Sequence, residues 1–392
     1  MKTAHVRLVG IFALSLSFFS LSAFADSTME VVQSVPLETS LAVPGLRQAQ
    51  AVWIEMIQSA KSTLDIEQFY ISDQEGEALA PVLQEIKNAA TRGVQVRVLV
   101  DSKFYSTYPD SVNNLGSVQN IQTKTINYGA IAGGVQHAKF FVVDNSLSFV
   151  GSQNFDWRAL SHIHEIGLRV SDSQVATDLE SIFAKDWALG AAAQSNLVAA
   201  LSVQNLFAGV SSFVSDILNM GATISVVASP ESQNPSGVPY SGTAITDLMA
   251  QAKSTIRIQV MEYVAGQWKV LDSAIRAAAA RGVHVQLAVD VSDIKKAKAD
   301  LQSLAAVSGV EVLSVTIPQW SGGSIPFARM IHSKYMVIDD QAAWVGSENW
   351  SKSYFLSTRN VGLVVHSPDV AATLNQVFAL VWQSSYTTAI AK

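Results

Sequence analysis

The feature that most constrains this chain is an internal repeat whose spacing does not drift. One copy lies in VQHAKFFVVDNSLSFVGSQN (residues 135–154), and the other lies in IHSKYMVIDDQAAWVGSEN (residues 331–349). The shared pattern is H-x-K-x4-D followed by G-S-x-N, and all equivalent positions are 195 residues apart. These positions are His137, Lys139, Asp144, Gly151, Ser152 and Asn154, then His332, Lys334, Asp339, Gly346, Ser347 and Asn349. A short motif is weak evidence alone, but its duplication at fixed spacing is strong evidence.

The flanking sequence repeats as well. In both halves an apolar stripe at helical spacing precedes a stretch that alternates like a strand, and a second helix and strand follow. Strands that alternate with helices predict an α/β fold in each half. Two equivalent halves with one motif each predict a pseudo-twofold unit whose active site lies where the halves meet.

The chain divides into four segments. Residues 1–25 combine a basic start, an apolar run and an Ala-Phe-Ala exit, which predicts a signal peptide cleaved after Ala25 and a secreted or periplasmic protein. The alternative is a membrane anchor, but the run is short for about 30 Å of hydrocarbon. We then predict an N-terminal repeat (26–190), a connector (191–221) and a C-terminal repeat (222–392). No later segment is long enough to predict a stable membrane span.

Composition narrows the chemistry. The formal net charge of −6 argues against a general polyanion binder, so a bound phosphate must be held by a local cluster. The absence of cysteine excludes disulfides, thiolate nucleophiles and thiolate metal sites. An amphipathic stripe at residues 206–218 predicts a helix on the core or a flap near the substrate. The loop at residues 316–327 carries Trp320 and Phe327, and it either shapes the pocket or is ordinary surface.

The motif residues suit the cleavage of a phosphodiester. One neutral imidazole would attack phosphorus to form a covalent phosphohistidine, and the other, protonated, would give its proton to the leaving oxygen. Lysine charges and amide or hydroxyl donors would stabilise the phosphate oxygens. These predicted phosphate-binding residues are Lys139, Lys334, Asn154, Asn349, Ser152 and Ser347. The motifs contain no carboxylate cluster suited to magnesium or calcium, so neither a metal nor a cofactor is predicted.

One asymmetry suggests how the two histidines divide the work. Glu165 lies 28 residues after His137, whereas Asn360 lies 28 residues after His332. A carboxylate can hold the second nitrogen of an imidazole and support its positive charge. We therefore predict that Glu165 orients His137, and we favour His137 as the nucleophile and His332 as the general acid. Asp144 and Asp339 are interpreted as structural residues that cap a turn or pair with a base. The histidines without motif partners are predicted to be ordinary surface or strand residues: His162, His164, His284 and His366.

At these residues the sequence resembles the phospholipase D superfamily, whose hallmark is a duplicated HxKxxxxD with a trailing GSxN. The segments HAKFFVVD, GSQNFDWRAL, IPFARMIHSKYMV and NWSKSYFLSTRNVGLVV are similar to the branch that contains mammalian phospholipase D family members three and four. The resemblance implies two packed phospholipase D-like repeats, with His137 as nucleophile and His332 as acid. That branch is associated with 5′ exonuclease action on single-stranded nucleic acid and with lysosomal phospholipid transphosphatidylation. Its members are membrane-tethered and disulfide-bonded, so lysosomal residence does not transfer to this chain.

Three functions follow from the sequence. We favour a phosphodiesterase that hydrolyses, or transfers, single-stranded nucleic acid, because of the branch resemblance. The alternative is a phospholipase D or transphosphatidylase acting on phospholipids, which the acidic net charge and the apolar Trp320 and Phe327 would suit. The third is a non-catalytic binder of phosphate-bearing ligands, against which the intact second motif argues. The sequence does not predict the oligomeric state.

Overall fold

The computed structural model describes residues 27–193, 222–266 and 268–391. The predicted signal peptide and the predicted amphipathic stripe at residues 206–218 lie outside the described residues. The rest of the chain forms two repeats of the same design.

The elements of the N-terminal repeat are β1 (Thr28–Ser34), α1 (Ala49–Ser59), β2 (Thr63–Gln68), β3 (Ile71–Ser72), α2 (Ala80–Thr91), β4 (Gln95–Asp101), α3 (Ser102–Tyr105), α4 (Asp110–Gly116), β5 (Ile121–Ile126), α5 (Tyr128–Ala132), β6 (Phe140–Val143), β7 (Leu147–Gly151), β8 (Phe155–Asp156), α6 (Trp157–Ser161), β9 (Glu165–Ser171), α7 (Ser173–Leu189) and β10 (Ala191–Ala192). Those of the C-terminal repeat are β11 (Thr223–Ser229), α8 (Ser241–Gln251), β12 (Thr255–Val260), β13 (Tyr263–Val264), α9 (Val270–Ala280), β14 (His284–Asp290), α10 (Ile294–Ala305), β15 (Val310–Val315), β16 (Tyr335–Ile338), β17 (Ala342–Gly346), β18 (Trp350–Ser351), α11 (Lys352–Leu356), β19 (Asn360–His366), α12 (Pro368–Trp382) and β20 (Thr387–Ala389).

Each repeat builds one mixed eight-stranded sheet. The strand orders are β1-β9-β7-β6-β2-β4-β5-β10 and β11-β19-β17-β16-β12-β14-β15-β20, so the two sheets share one topology. The β2-β4-β5 and β12-β14-β15 pairings are parallel, and the other pairings are antiparallel. The predicted α/β class and two-repeat architecture are therefore confirmed.

The two sheets share a central hydrophobic core. It combines buried side chains of both sheets, such as Phe140, Leu168 and Leu363, with the inner faces of α7 and α12. Each sheet also has one outer core on its far face. In the N-terminal repeat α1 and α2 pack there, and in the C-terminal repeat α8, α9 and α10 do. Because burial of a large apolar side chain stabilises by roughly 1.5–3 kcal/mol, the shared core holds the repeats together as one unit.

Short backbone bridges cross between the repeats with the symmetry of the sequence. Gln136 pairs with Arg359, and Ile331 pairs with His164, so each bridge joins the residue before a motif histidine to the residue before β9 or β19. The His137 N–H donates to the Arg359 carbonyl at 2.8 Å, and the His332 N–H donates to the His164 carbonyl at 2.9 Å. The repeats approach closely here: a Cβ on Gly134 would lie 2.3 Å from the Ser357 carbonyl oxygen. The segment that carries each motif histidine is thus held against the opposite repeat.

The two motif aspartates cap turns that lead into β2 and β12. The Asp144 carboxylate accepts the backbone N–H groups of residues 61–63 at 2.7–2.9 Å. The Asp339 carboxylate accepts those of residues 253–255 at 2.7–2.8 Å. Both aspartates have positive φ, at 49°, a backbone region in which aspartate is more common than most residues. These contacts fix where the central strands begin.

The buried ion pair of Arg359 and Asp186 should contribute strongly to stability. Both side chains are fully buried, and the guanidinium donates to the carboxylate at 2.6 and 3.1 Å. Asp186→Asn should lower the free energy of unfolding by about 3–5 kcal/mol, because it leaves a buried charge unpaired. Glu55→Gln, in an exposed pair with Arg47, should cost less than about 1 kcal/mol. Urea unfolding followed by circular dichroism measures both, and equal losses would contradict this assignment.

Candidate active site at the repeat interface

The motif histidines and lysines lie just before β6 and β16, at the seam between the repeats. His137 is 4% and His332 is 8% exposed, whereas Lys139 and Lys334 are fully buried. Each lysine Nζ donates to the carbonyl of the histidine two residues earlier, at 2.6 Å in the first copy. The lysines are therefore held beneath the histidines, and their charges act on the same small volume.

The partners of the histidines cross from one repeat to the other. His332 Nδ1 lies 2.7 Å from Glu165 Oε1, and His137 Nδ1 lies 2.9 Å from Asn360 Oδ1. The predicted contact between Glu165 and His137 is therefore wrong. The bridges at the seam place Glu165, the first residue of β9, beside the motif histidine of the other repeat. The prediction failed because it assumed that residues near each other in the sequence belong to the same site. The carboxylate argument that favoured His137 as nucleophile now applies to His332.

Burial and shared charge set the protonation of the site. Burial, followed by the nearby lysine charges, lowers the pKa of both histidines well below its usual range. Burial raises the pKa of Glu165 to about 8 and lowers that of Lys334 to about 7, while the opposite charges of the two groups partly offset both shifts. A positive charge on His332 also lowers the pKa of His137. The two imidazoles thus belong to one electrostatic cluster and are neutral near neutral pH.

The amide and hydroxyl groups of the GSxN segments serve different purposes. The Ser152 hydroxyl donates to the Ile166 carbonyl at 3.1 Å, and the Ser347 hydroxyl donates to Asn360 Oδ1 at 3.0 Å. These fully buried serines fasten β9 and β19, so the geometry does not support their predicted role as phosphate donors. Asn154 and Asn349 differ, because their Oδ1 atoms have no hydrogen-bond partner within the described residues. These free oxygens are acceptors, so they do not by themselves supply the hydrogen-bond donors that the sequence predicted for the phosphate.

An aromatic wall, defined as Phe69, Tyr70, Phe104, Tyr108 and Tyr354, flanks His137. The ring centroids of Phe69 and Tyr354 lie 4.8 and 5.0 Å from that of His137. Phe69 contacts Phe104 at 3.9 Å, and Tyr70 stacks on Tyr108 at 5.0 Å. All five side chains are half-buried. Sequence reasoning missed this wall, although the aromatic pair directly after β2 was an available signal.

Two further buried ionisable residues were missed. His164, interpreted from the sequence as ordinary, is fully buried and lies 3.2 Å from Gln259 Nε2 and 3.4 Å from Ser333 Oγ. Burial lowers its pKa to about 4, so it is neutral. Glu348, inside GSEN, is also fully buried, and burial raises its pKa to about 7. Its negative charge raises the pKa of Lys139 and so partly offsets the lowering by burial. Its position inside the GSEN segment could have pointed to it from the sequence.

The loop at residues 316–330 packs on the opposite repeat. The Arg329 N–H donates to the His162 carbonyl at 2.9 Å, and the Trp320 ring lies 5.0 Å from the His162 ring. Phe327 is 76% exposed. Trp320 is therefore half-buried at the seam, whereas Phe327 faces solvent.

The described residues contain neither a clear metal site nor a clear membrane span. Within residues 27–193, 222–266 and 268–391, no group of three or more histidine, aspartate or glutamate side chains is arranged to hold a metal ion. Among the same described residues, no helix is both long and apolar enough to cross a bilayer. Metal independence stays a prediction.

Comparison with known proteins agrees with the duplicated design. A family model described as "Cardiolipin synthase, PLD-like domain" matches residues 53–187 and 245–382. The 5'-3' exonuclease PLD4 of Mus musculus is 30% identical over 91% of this chain and 78% of its own length. Phospholipase D Z of Dictyostelium discoideum is 28% identical over 92% of this chain and 90% of its own length.

The solved structures show the same fold. Phosphatidylserine synthase of Haemophilus influenzae superimposes with a TM-score of 0.63 at 14% identity, covering 87% of this chain and 84% of that one. At this identity the likeness concerns the fold alone. Since the family model covers both repeats and the mouse relative aligns over most of both chains, this chain belongs to the phospholipase D superfamily of phosphodiesterases.

Proposed function

We propose that this phosphodiesterase uses His332 as its nucleophile and His137 as its general acid and base. The observation that carries the assignment is the crosswise pairing, in which Glu165 holds His332 and Asn360 holds His137. An imidazole that bonds to phosphorus becomes positively charged, and this charge favours the ionised form of Glu165 beside it. The resulting carboxylate stabilises the imidazolium better than a neutral amide does. The geometry thus supports the reverse of the roles that the sequence favoured.

The reaction then proceeds in two displacements. With Nδ1 of His332 held by Glu165, Nε2 attacks phosphorus, and the bond from phosphorus to the leaving oxygen breaks. His137, protonated in the substrate complex, gives its proton to that oxygen. The neutral His137 then takes a proton from water, whose oxygen attacks phosphorus and releases His332. Lys139 and Lys334 neutralise the phosphate oxygens throughout.

We propose single-stranded nucleic acid as the substrate, cleaved from its 5′ end. Half-buried aromatic rings beside the catalytic histidine suit unpaired bases, because every base offers a face for stacking. The mouse relative, which aligns over 91% of this chain, is named a 5'-3' exonuclease. The exposed Phe327 and the Dictyostelium relative, named a phospholipase D, favour phospholipid as the second candidate. We also propose secretion or periplasmic export, which only the pattern of residues 1–25 supports.

Trapping the covalent intermediate tests the division of roles. In His137→Asn, a p-nitrophenyl phosphodiester should phosphorylate His332 and accumulate there, because the leaving group needs no proton but hydrolysis lacks its base. The matched variant His332→Asn should trap no phosphate. Mass spectrometry of peptides, after a quench without acid, shows which histidine carries the phosphoryl group. Phosphate on His137 in His332→Asn would restore the original assignment.

The pH dependence should follow Lys334. Because its pKa is lowered to about 7, the ammonium is present below that pH and is lost above it, so kcat/KM should fall as pH rises through about 7. Glu165 and Glu262 both raise this pKa by their charges. Glu165→Gln and Glu262→Gln should therefore each move the descending limb to lower pH, and only Glu165→Gln should also lower the plateau. A profile that stays flat to pH 9 would contradict this reading.

Substrate preference is tested with two substrates offered separately. Wild-type protein should shorten a single-stranded oligonucleotide from its 5′ end, and a bulky 5′ blocking group should prevent this. It should form little phosphatidylethanol from phosphatidylcholine and ethanol. His332→Asn is the control for contaminating activity in both assays. Abundant phosphatidylethanol with an intact oligonucleotide would replace nucleic acid by phospholipid as the substrate, and ligand binding without turnover of either would favour a non-catalytic binder.

A further inference from the structure

The two halves of the active-site cleft are chemically different although their backbones are equivalent. The Asp101 N–H donates to the Phe69 carbonyl at 3.2 Å, and the Asp290 N–H donates to the Met261 carbonyl at 3.3 Å. Phe69 and Met261 therefore occupy equivalent positions directly after β2 and β12. The repeat with His137 presents an aromatic side chain there, and the repeat with His332 presents methionine.

The next position differs in charge. Tyr70 follows Phe69, and its hydroxyl donates to Asp156 at 2.8 Å. Glu262 follows Met261, and its carboxylate lies 3.4 Å from the ammonium of Lys296 and acts on the charge of Lys334. A carboxylate beside the cleft disfavours a second phosphate group on the His332 side. An extended polyanion thus meets a carboxylate, paired with Lys296, in one half of the cleft and uncharged rings in the other.

The reaction geometry links this difference to the leaving group. Attacking and leaving atoms lie roughly in line through phosphorus, so a leaving oxygen opposite His332 faces His137. The aromatic wall surrounds that position, with Phe69 4.8 Å and Tyr354 5.0 Å from the His137 ring. Exposed lysines accompany the rings on their short helices: Lys103 precedes Phe104 on α3, and Lys352 lies on α11 with Tyr354. Sites for single-stranded nucleic acid likewise combine aromatic rings with positive charge.

We propose that the aromatic wall is the leaving-group subsite, which stacks the base of the departing nucleoside and directs the remaining strand along the wall. The inference rests on the proposed function, since it takes His137 as the acid and nucleic acid as the substrate. The bond from phosphorus to the 5′ oxygen breaks, the proton of His137 goes to that oxygen, and the retained 3′-phosphoryl group stays on His332. The strand therefore enters from one side only.

Two substrates that share a retained group isolate the subsite. Thymidylyl-(3′→5′)-thymidine and thymidine 3′-(methyl phosphate) both leave thymidine 3′-phosphate on the enzyme, but one expels a nucleoside and the other expels methanol. Phe69→Leu and Phe104→Leu should lower kcat/KM about 5- to 100-fold more for the dinucleotide than for the methyl ester, as expected for the loss of base stacking. Phe104→Tyr, which keeps a ring, should restore the ratio. Met261→Leu, the matched change in the other repeat, should not alter it.

The outcomes separate this inference from the proposed function. Wild-type cleavage of both substrates with an unchanged ratio in Phe69→Leu and Phe104→Leu overturns the subsite and leaves the nuclease intact. A ratio that changes in Met261→Leu instead reverses the direction of the strand. No cleavage of the dinucleotide, with phosphatidylcholine turnover that depends on Phe69, overturns the nucleic-acid assignment and makes the wall a choline site, since aromatic faces also bind quaternary ammonium groups.

Discussion

The backbone pairing between the two repeats at the seam is the constraint on which the rest of the structure depends. Two short bridges, Gln136 with Arg359 and His164 with Ile331, join the repeats at the residues that precede the motif histidines and their partners. One residue further along, Glu165 meets His332 and Asn360 meets His137. A shift of one residue in either bridge would turn these side chains to the other face of the strand. The candidate active site is therefore specified by strand register as much as by the identities of its residues.

Burial then gives the assembled groups their chemistry. Two lysines, two histidines and Glu165 lie in a volume from which water is largely excluded, and each is pushed towards its neutral form. A phosphodiester brings a negative charge into this cluster, and its oxygens complement the two ammonium groups at short range. Neutral imidazoles are also the reactive ones. The cost of burying these charges is thus coupled to substrate binding, and the shared core supplies the rigidity that keeps them buried.

The sequence predicted the fold well, because the repeat and its helix and strand periodicities are local patterns. The constant spacing of 195 residues revealed the repeat, and the helix and strand periodicities gave the α/β class. It failed where an answer depends on which strands meet in space. Glu165 was paired with the histidine of its own repeat because nothing in the sequence marks the crossing. The Ser152 and Ser347 hydroxyls were expected at the phosphate, but they donate instead to the Ile166 carbonyl and the Asn360 side chain. The aromatic wall combines residues that follow β2, residues on and just after α3, and one residue on α11, and these segments lie far apart along the chain.

The crosswise partnership also bears on how such a duplicated chain can change. Each half supplies the support for the histidine of the other half, so a substitution near β9 is felt in the second motif and one near β19 is felt in the first. Neither half is free to drift alone, and a damaged half cannot be carried as a passive copy by its intact neighbour. Loss-of-function substitutions should consequently group by the histidine whose support they remove. Along the chain, substitutions in the N-terminal repeat near β9 would group with the second motif, and those near β19 would group with the first.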